Sequence, residues 1–486
     1  MKGSRQMRGL ARLVCMLIVG AGAQAHPAAT VTVDPSQPGA VVTNKILGMN
    51  MANWFDQTQP GLAAALTAGG IRATRWPGGS AADTYHWQTN TECGGGYVNA
   101  NSGFDNFVAD VVEPAGLDLA VTLNYGSNAA CNAGGDPSEA AGWVSYAASH
   151  GDKVSHWTVG NEVYGSWEYD LHPVAHDAST YAWAVATGFY PAIKAANPTA
   201  QVGVVVEPGW SPAWDPIVLA QAKYDFVEYH YYAQEPYQES DAYLVTQAPH
   251  AFAGQIATLK SELQSAGQPN MPIYIGELGS VSYDPGKQTS SITQALYAGQ
   301  VLGEMMNAGI SRATWWLGFG GCSDASSGNF SSALYGWQNF GGYMVFSDGT
   351  PEYGCSGAPE IPLGTLLPTA RAFQLFSLVA HNGEHALGVT LGGDATSLRG
   401  YAVTHSGGTA LVLFNLDQNN KLPVTIAIDG VTSASSMLVN SYDRAIYDRS
   451  QTNVWAGPLR ARYGATALPV SLVLQPWSMT VVRLAP

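Results

Sequence analysis

Two glutamates close apolar, strand-like runs in this chain. Trp157-Thr158-Val159-Gly160-Asn161-Glu162 ends in Asn-Glu, and Ile273-Tyr274-Ile275-Gly276-Glu277 ends in a single carboxylate. Paired carboxyls at two strand ends that converge suit the cleavage of a glycosidic bond. One protonates the departing oxygen while the other attacks the anomeric carbon, and retention of configuration needs the two about 5–5.5 Å apart.

Other polar and aromatic side chains fall near strand ends. Asn161 precedes Glu162 and is placed to hydrogen-bond a sugar 2-hydroxyl. His230 and Tyr232, in Glu228-Tyr229-His230-Tyr231-Tyr232, are placed to orient the nucleophile or bind substrate. Arg75 would hold Glu277 ionised. Asn50 and Asn124 are candidate ligands for sugar hydroxyls, and Trp316 is a candidate floor for a sugar ring. Asp83, Glu168, Glu207 and Asp225 are reserve carboxylates, Glu207 the best placed of them. His172 and His176 lie four apart, but Pro173 stands between them and there is no HExxH, so no metal site is expected. No GxSxG elbow marks a serine nucleophile. The Gly-rich stretches at 93–96 and 318–321 lack the strand–GxGxxG–helix setting of a nucleotide site, and no cofactor is expected.

These residues need a scaffold that gathers strand ends. Apolar runs at 46–50, 71–76, 117–124, 154–161, 201–206, 226–231, 272–276 and 313–317 read as strands. Helical patterns at 138–148, 179–196, 253–266 and 292–308 lie between them, the first two opening on a Ser suited to an N-cap. Strand–helix alternation repeated eight times predicts a (β/α)₈ TIM barrel, whose active sites lie at the C-terminal strand ends. Glu162 and Glu277 then end the fourth and seventh strands, which face each other across the barrel.

Beyond a helix at 369–379 the pattern changes to short alternating runs at 398–403, 410–415, 423–428, 436–441 and 469–474, the signature of an antiparallel β-sandwich. The run at 29–33 is strand-like and is expected to join it. The expected division is a signal peptide over 1–25, an N-terminal strand segment over 26–45, the barrel over 46–380 and the sandwich over 381–486.

Composition narrows the partners. Acidic residues outnumber basic ones 36 to 21, for a net charge of −15, which argues against nucleic acid. The 14 Trp and 24 Tyr supply flat faces for stacking on sugar rings, and Trp54, Trp87, Trp167 and Trp337 are candidates to line an open cleft. Lys2, Arg5, Arg8 and Arg12, the apolar run 13–20 and Ala23-Gln24-Ala25 read as a cleavable secretory signal, which predicts a secreted or periplasmic protein. No run is long enough to span a membrane. Cys93, Cys131, Cys322 and Cys355 remain after cleavage and allow three pairings. Cys93–Cys131 with Cys322–Cys355 is favoured, since each would staple one Gly/Ser-rich loop.

Gly160-Asn161-Glu162 and Gly276-Glu277 resemble the acid/base and nucleophile motifs of the retaining barrel glycosidases. Thr74-Arg75-Trp76-Pro77-Gly78-Gly79, Tyr85-His86-Trp87, Asn124-Tyr125-Gly126-Ser127 and Glu162-Val163-Tyr164-Gly165-Ser166-Trp167 are similar to segments of the α-L-arabinofuranosidase family, glycoside hydrolase family 51. The resemblance implies a barrel with a C-terminal sandwich, Glu162 as general acid/base and Glu277 as nucleophile; apolar surroundings and the nearby Glu277 charge are expected to raise the Glu162 pKa. That family is expected to carry a Glu soon after the first strand, where Met49-Asn50-Met51-Ala52-Asn53-Trp54 has none. Three readings follow for a polysaccharide or oligosaccharide partner: an arabinofuranosidase-like enzyme, an endo-β-glucanase or related endo-glycanase, and a non-catalytic carbohydrate-binding protein.

Overall fold

The computed structural model describes residues 28–209, 213–322, 331–335, 337–349 and 360–486. The signal sequence and Cys355 lie outside them, and with Cys355 the expected Cys322–Cys355 pairing. Eight parallel strands follow one another in sequence order around a barrel. They are Gly48–Asn50, Ala73–Trp76, Asp118–Leu123, Val154–Val159, Val202–Val206, Phe226–Tyr232, Ile273–Gly279 and Arg312–Ala313. Backbone bonds from Asn50 to Trp315 and from Trp315 to Gly48 join the first segment to the last and close the ring. The chain is thus a (β/α)₈ barrel carrying a β-domain.

The helices differ in detail from the expectation. Pro137–His150 and Ala178–Ala184 are capped by Asp136 and Asp177, which accept from the backbone N–H of Ser138 and Thr180. Each Asp stands two positions before the Ser expected as the cap and outcompetes it as a charged acceptor at the helix N-terminus. The run 179–196 is broken by a π-turn at Val185–Phe189 before continuing as Tyr190–Ala196. Ile292–Ala308 starts and ends where the pattern placed it.

The β-domain is a nine-stranded sheet. Ala29–Asp34 enters it between Ala386–Gly392 and Leu422–Ile428, so the two ends of the chain share one sheet. Its pairing with Leu422–Ile428 is parallel, a difference from an all-antiparallel sandwich. A strand arriving from the far end of the chain is free of the hairpin constraint that forces antiparallel neighbours. Val31, Leu411, Ile426 and Val482 build a core inside this domain. Its other face docks on helix Ile292–Ala308, where Gly299 and Gly303 sit one turn apart under Phe414, Met479 and Tyr401. A β-carbon at 303 would stand 2.4 Å from the Tyr401 ring, so the sheet approaches because those side chains are missing. The helix following the seventh strand is thereby clamped between barrel and sheet.

Candidate active site

Inside the barrel mouth the Arg75 guanidinium, fully buried, links side chains from four other strands. Nη1 donates to Asn50 Oδ1 and Glu277 Oε1, both at 3.0 Å, and Nη2 donates to Asn161 Oδ1 at 2.7 Å. Nε lies 3.0 Å from Glu228 Oε1. Its planar fork suits this multiple contact as a lysine would not.

Glu162 reaches the mouth through a tight turn. Gly160 and Glu162 have φ of 79° and 37°. At Gly160 a β-carbon would come within 2.4 Å of Val163. A left-handed glutamate is a strained conformation, found most often at functional sites. Its two oxygens have different partners: Oε1 contacts His230 Nδ1 at 2.9 Å and Oε2 accepts from Trp167 Nε1 at 2.8 Å. Glu277 is held by Arg75 on Oε1 and by the Tyr232 hydroxyl on Oε2 at 2.7 Å. One oxygen of Glu162, one ring nitrogen of His230 and one oxygen of Glu277 lie within 4.8 Å of one another, so the two carboxylates share one small space at the barrel mouth.

Charge is arranged unevenly. Burial opposes charge on the His230 ring, but Glu277, Glu162 and Glu228 outweigh it and push its pKa up to about 10. Burial likewise opposes charge on Glu162, yet the His230 and Trp167 hydrogen bonds and the His230 and Arg75 charges bring its pKa below the ordinary value. This reverses the raised pKa expected from sequence: the surroundings of Glu162 are cationic and hydrogen-bonding, not apolar. The three side chains are close enough to hold a metal ion, but both His230 ring nitrogens already face carboxylates, Nδ1 that of Glu162 and Nε2 that of Glu228. The other such group among the described residues, His86 with Cys93 and Cys131, has its sulfurs joined in the Cys93–Cys131 disulfide.

The structure brings Arg75, Asn161, Glu162, His230, Tyr232 and Glu277 together, and sets Trp316 beside them. The Trp316 ring lies over Gly78 and Gly79, where β-carbons would approach it to 2.9 and 2.6 Å, and meets the edge of Trp54 at 6.1 Å between centroids. Asn50 and Asn124 do other work. The Asn50 amide is fully buried and donates to the carbonyls of Gly276 and Thr314. Asn124 donates to the Tyr85 carbonyl and accepts from the Ser127 N–H. Both amides brace backbone in this structure, and Asn50 Oδ1 also accepts from Arg75.

Of the reserve carboxylates, Asp225 sits at the opposite end of the barrel, paired with Lys194 at 2.6 Å. Glu207, the favoured one, follows the fifth strand, and its backbone N–H donates to Asp215. Asp83 and Glu168 are the two behind the site. Asp83 accepts from the backbone N–H groups of Tyr125 and Asn161, and Glu168 accepts from Asn161 Nδ2 and Ser80. Burial pushes Asp83 up to about 8, and burial with the nearby Asp83 and Glu162 charges pushes Glu168 well above the carboxylate range. Glu228 is the residue the sequence reading passed over. Its signal was the alternation Glu228, His230, Tyr232, which puts all three on one face of the sixth strand.

Beside Glu162 lies a cavity of about 670 Å³ lined by Trp54, Ser80, Glu92, Tyr97, Trp167 and Tyr169, with the Cys93 end of the disulfide in its wall. Trp87 stacks on Trp143 and Trp337 packs on Tyr447, so of the four expected cleft tryptophans only Trp54 and Trp167 line it. Where the first loop lacks a glutamate, Asn53 donates to Glu92 at 2.5 Å and holds that carboxylate at the cavity.

No protein-family model and no curated protein sequence matches the chain. Solved structures do. An α-L-arabinofuranosidase from Thermotoga maritima, in complex with arabinose, superposes with a TM-score of 0.73 at 15% identity, over 94% of this chain and 100% of that one. The family 51 arabinofuranosidase from Xanthomonas axonopodis pv. citri gives 0.68 at 18% identity, over 94% and 99%. A family 44 xyloglucanase from Paenibacillus polymyxa gives 0.63 at 12% identity, over 94% and 100%. What the chain shares with them is the fold, the barrel and β-domain of a clan of glycoside hydrolases.

Proposed function

We propose that this protein is a retaining glycoside hydrolase acting on plant or microbial polysaccharide or its oligosaccharides, with arabinofuranosidase-like activity. The observation that carries this is the Glu162–Glu277 pair, within 4.8 Å and held by different partners. Glu277 is the nucleophile. Arg75 and Tyr232 direct its two oxygens and stabilise its charge until it bonds to the anomeric carbon. Glu162 delivers a proton to the leaving oxygen, then takes one from the water that releases the glycosyl-enzyme. Asn161, fixed between Arg75 and Glu168, keeps a second lone pair on its carbonyl oxygen for a sugar hydroxyl. The Cys93–Cys131 disulfide supports folding in an oxidising compartment, secreted or periplasmic.

A second reading, endo-glycanase activity, is favoured by the aromatic cavity around Trp54, Tyr97 and Trp167, which suits a run of sugar rings on the acid/base side. Product profiling on polysaccharides separates the two: monosaccharide release supports the first and an oligosaccharide ladder the second. The mechanism is tested by Glu277→Ala. Turnover is expected to vanish and azide to restore it with inverted configuration. Near-normal hydrolysis by that variant overturns the assignment, and binding without cleavage by the unaltered protein leaves only a carbohydrate-binding role.

A further inference from the structure

Glu228 has no place in a two-carboxylate mechanism, yet it is buried beside the two carboxylates that do. Its side chain is fully enclosed. Oε1 lies 3.0 Å from His230 Nε2 and forms an ion pair with Arg75, whose Nε is also at 3.0 Å, and Oε2 accepts from the Thr158 hydroxyl. On the next strand Gly276 sits in the register shift between Ile275 and Glu277, where a β-carbon would stand 2.0 Å from Glu228 Oε1. A buried charge so completely paired is costly to assemble from scratch and disruptive to break.

Its consequence concerns the two ring nitrogens of His230. Nε2 faces Glu228 and Nδ1 faces Glu162 at 2.9 Å. A carboxylate on Nε2 holds a proton there in every state of the ring. The second ring proton then lies on Nδ1, on the line to Glu162 Oε1. We propose that Glu228 is a positioning residue that pins the Nε2 proton of His230, so that the Nδ1 proton becomes the acid store from which Glu162 is charged for catalysis. The proposal rests on the glycosidase reading above.

The step balances. The Nδ1–H bond breaks as the Glu162 Oε1–H bond forms, and the electron pair stays on Nδ1. Glu162 passes this proton to the leaving oxygen as the glycosidic bond breaks and Glu277 bonds to carbon. In the second half, water gives a proton to Glu162 as its oxygen replaces Glu277 on the anomeric carbon, and the proton returns to Nδ1. This reconciles a Glu162 held below its ordinary pKa with its work as an acid, because pair and proton titrate together. The charged and titratable groups facing the ring are Glu162 from the turn after strand four, Glu228 on its own strand and Glu277 Oε2 at 3.9 Å from strand seven. Arg75 lies beyond Glu228, and Tyr232 beyond Glu277.

The test is the nitrogen NMR titration of His230 in the full folded chain, read with the pH profile of kcat/KM for the unaltered protein and Glu228→Gln. In the unaltered protein the ring is expected to carry both protons at about pH 8, where an ordinary histidine is neutral. Glu228→Gln is expected to lower the ring pKa, and with it the alkaline limb of activity, by about one to three units. A purely structural role would depress activity evenly across pH and leave the limb in place, and that result overturns the proposal. If Glu228→Gln does not fold, the titration of the unaltered protein still decides: a His230 ring that loses its proton below about pH 7 overturns it. Failure of the glycosidase reading shows separately, as an unaltered chain that cleaves no glycoside whatever the state of His230.

Discussion

Gly276 and Glu228 occupy one volume between them: a β-carbon at 276 would come to 2.0 Å from Glu228 Oε1, 2.4 Å from Cδ and 2.6 Å from Cγ. The glycine immediately before Glu277 is therefore there for a close approach by a neighbouring strand's carboxylate. Gly276→Ala forces Glu228 aside and breaks its contacts to Arg75 and His230 together. Overpacking of this kind costs about 1–3 kcal/mol, and unpairing buried charge adds to it. The expected outcome is a lowered melting temperature and loss of most turnover, with Glu277 itself untouched. A variant with the original melting temperature and rate would show that the two side chains do not compete.

Removing the proton donor should discriminate between leaving groups. In Glu162→Ala, Glu277 keeps its Arg75 and Tyr232 contacts. A phenolate leaving group of low pKa departs without a proton, whereas a sugar alcohol does not. The expected loss is about 10²–10⁴-fold for unactivated substrates and much less for nitrophenyl glycosides, with azide giving a product of retained configuration. Equal losses across leaving groups would remove Glu162 from the role of acid.

Strand-end position made Glu162, Glu277, Arg75, His230 and Tyr232 legible before any coordinates, because a barrel brings its C-terminal strand ends to one place. The same rule put Asn50 and Asn124 at strand ends, and there the structure turns their amides to backbone. Sequence puts an amide at a strand end but does not tell whether its polar atoms are already taken by a neighbour's carbonyl, as the Gly276 and Tyr85 carbonyls take these. Glu228 escaped notice because a charged residue inside an apolar strand reads as facing out, while this barrel encloses an arginine to meet it. The pKa of Glu162 was misjudged for the same reason, since burial was anticipated and the cation beside it was not. Leu459–Tyr463 was missed in the β-domain. Every residue of that strand is exposed, so it carries no alternation to detect, and Arg460 and Arg462 are the charges a sheet edge tolerates.

The far end of the barrel predicts a pH dependence of stability independent of the active site. Arg312, buried at the start of the eighth strand, pairs with Asp118 at the start of the third, and Lys45 adds a contact to Asp118 at 2.6 Å. Burial opposes the Asp118 charge, but Arg312, Lys45 and the Ser155 hydroxyl outweigh it and bring its pKa down to about 2. A carboxylate depressed in the folded state stabilises the fold above its unfolded pKa of about 3.9, and that contribution is lost as pH falls toward the folded value. Asp118→Asn should therefore destabilise the protein at neutral pH by about 2–4 kcal/mol, the linkage contribution plus part of the cost of leaving Arg312 unpaired. Denaturant unfolding at a series of pH values checks the sign. The gap between the unaltered protein and the variant should be full at about pH 5 and above and should narrow as pH falls from about 4 toward 2. A gap that stays constant over that window would mean that Asp118 holds the barrel by shape and hydrogen bonding alone, without its charge.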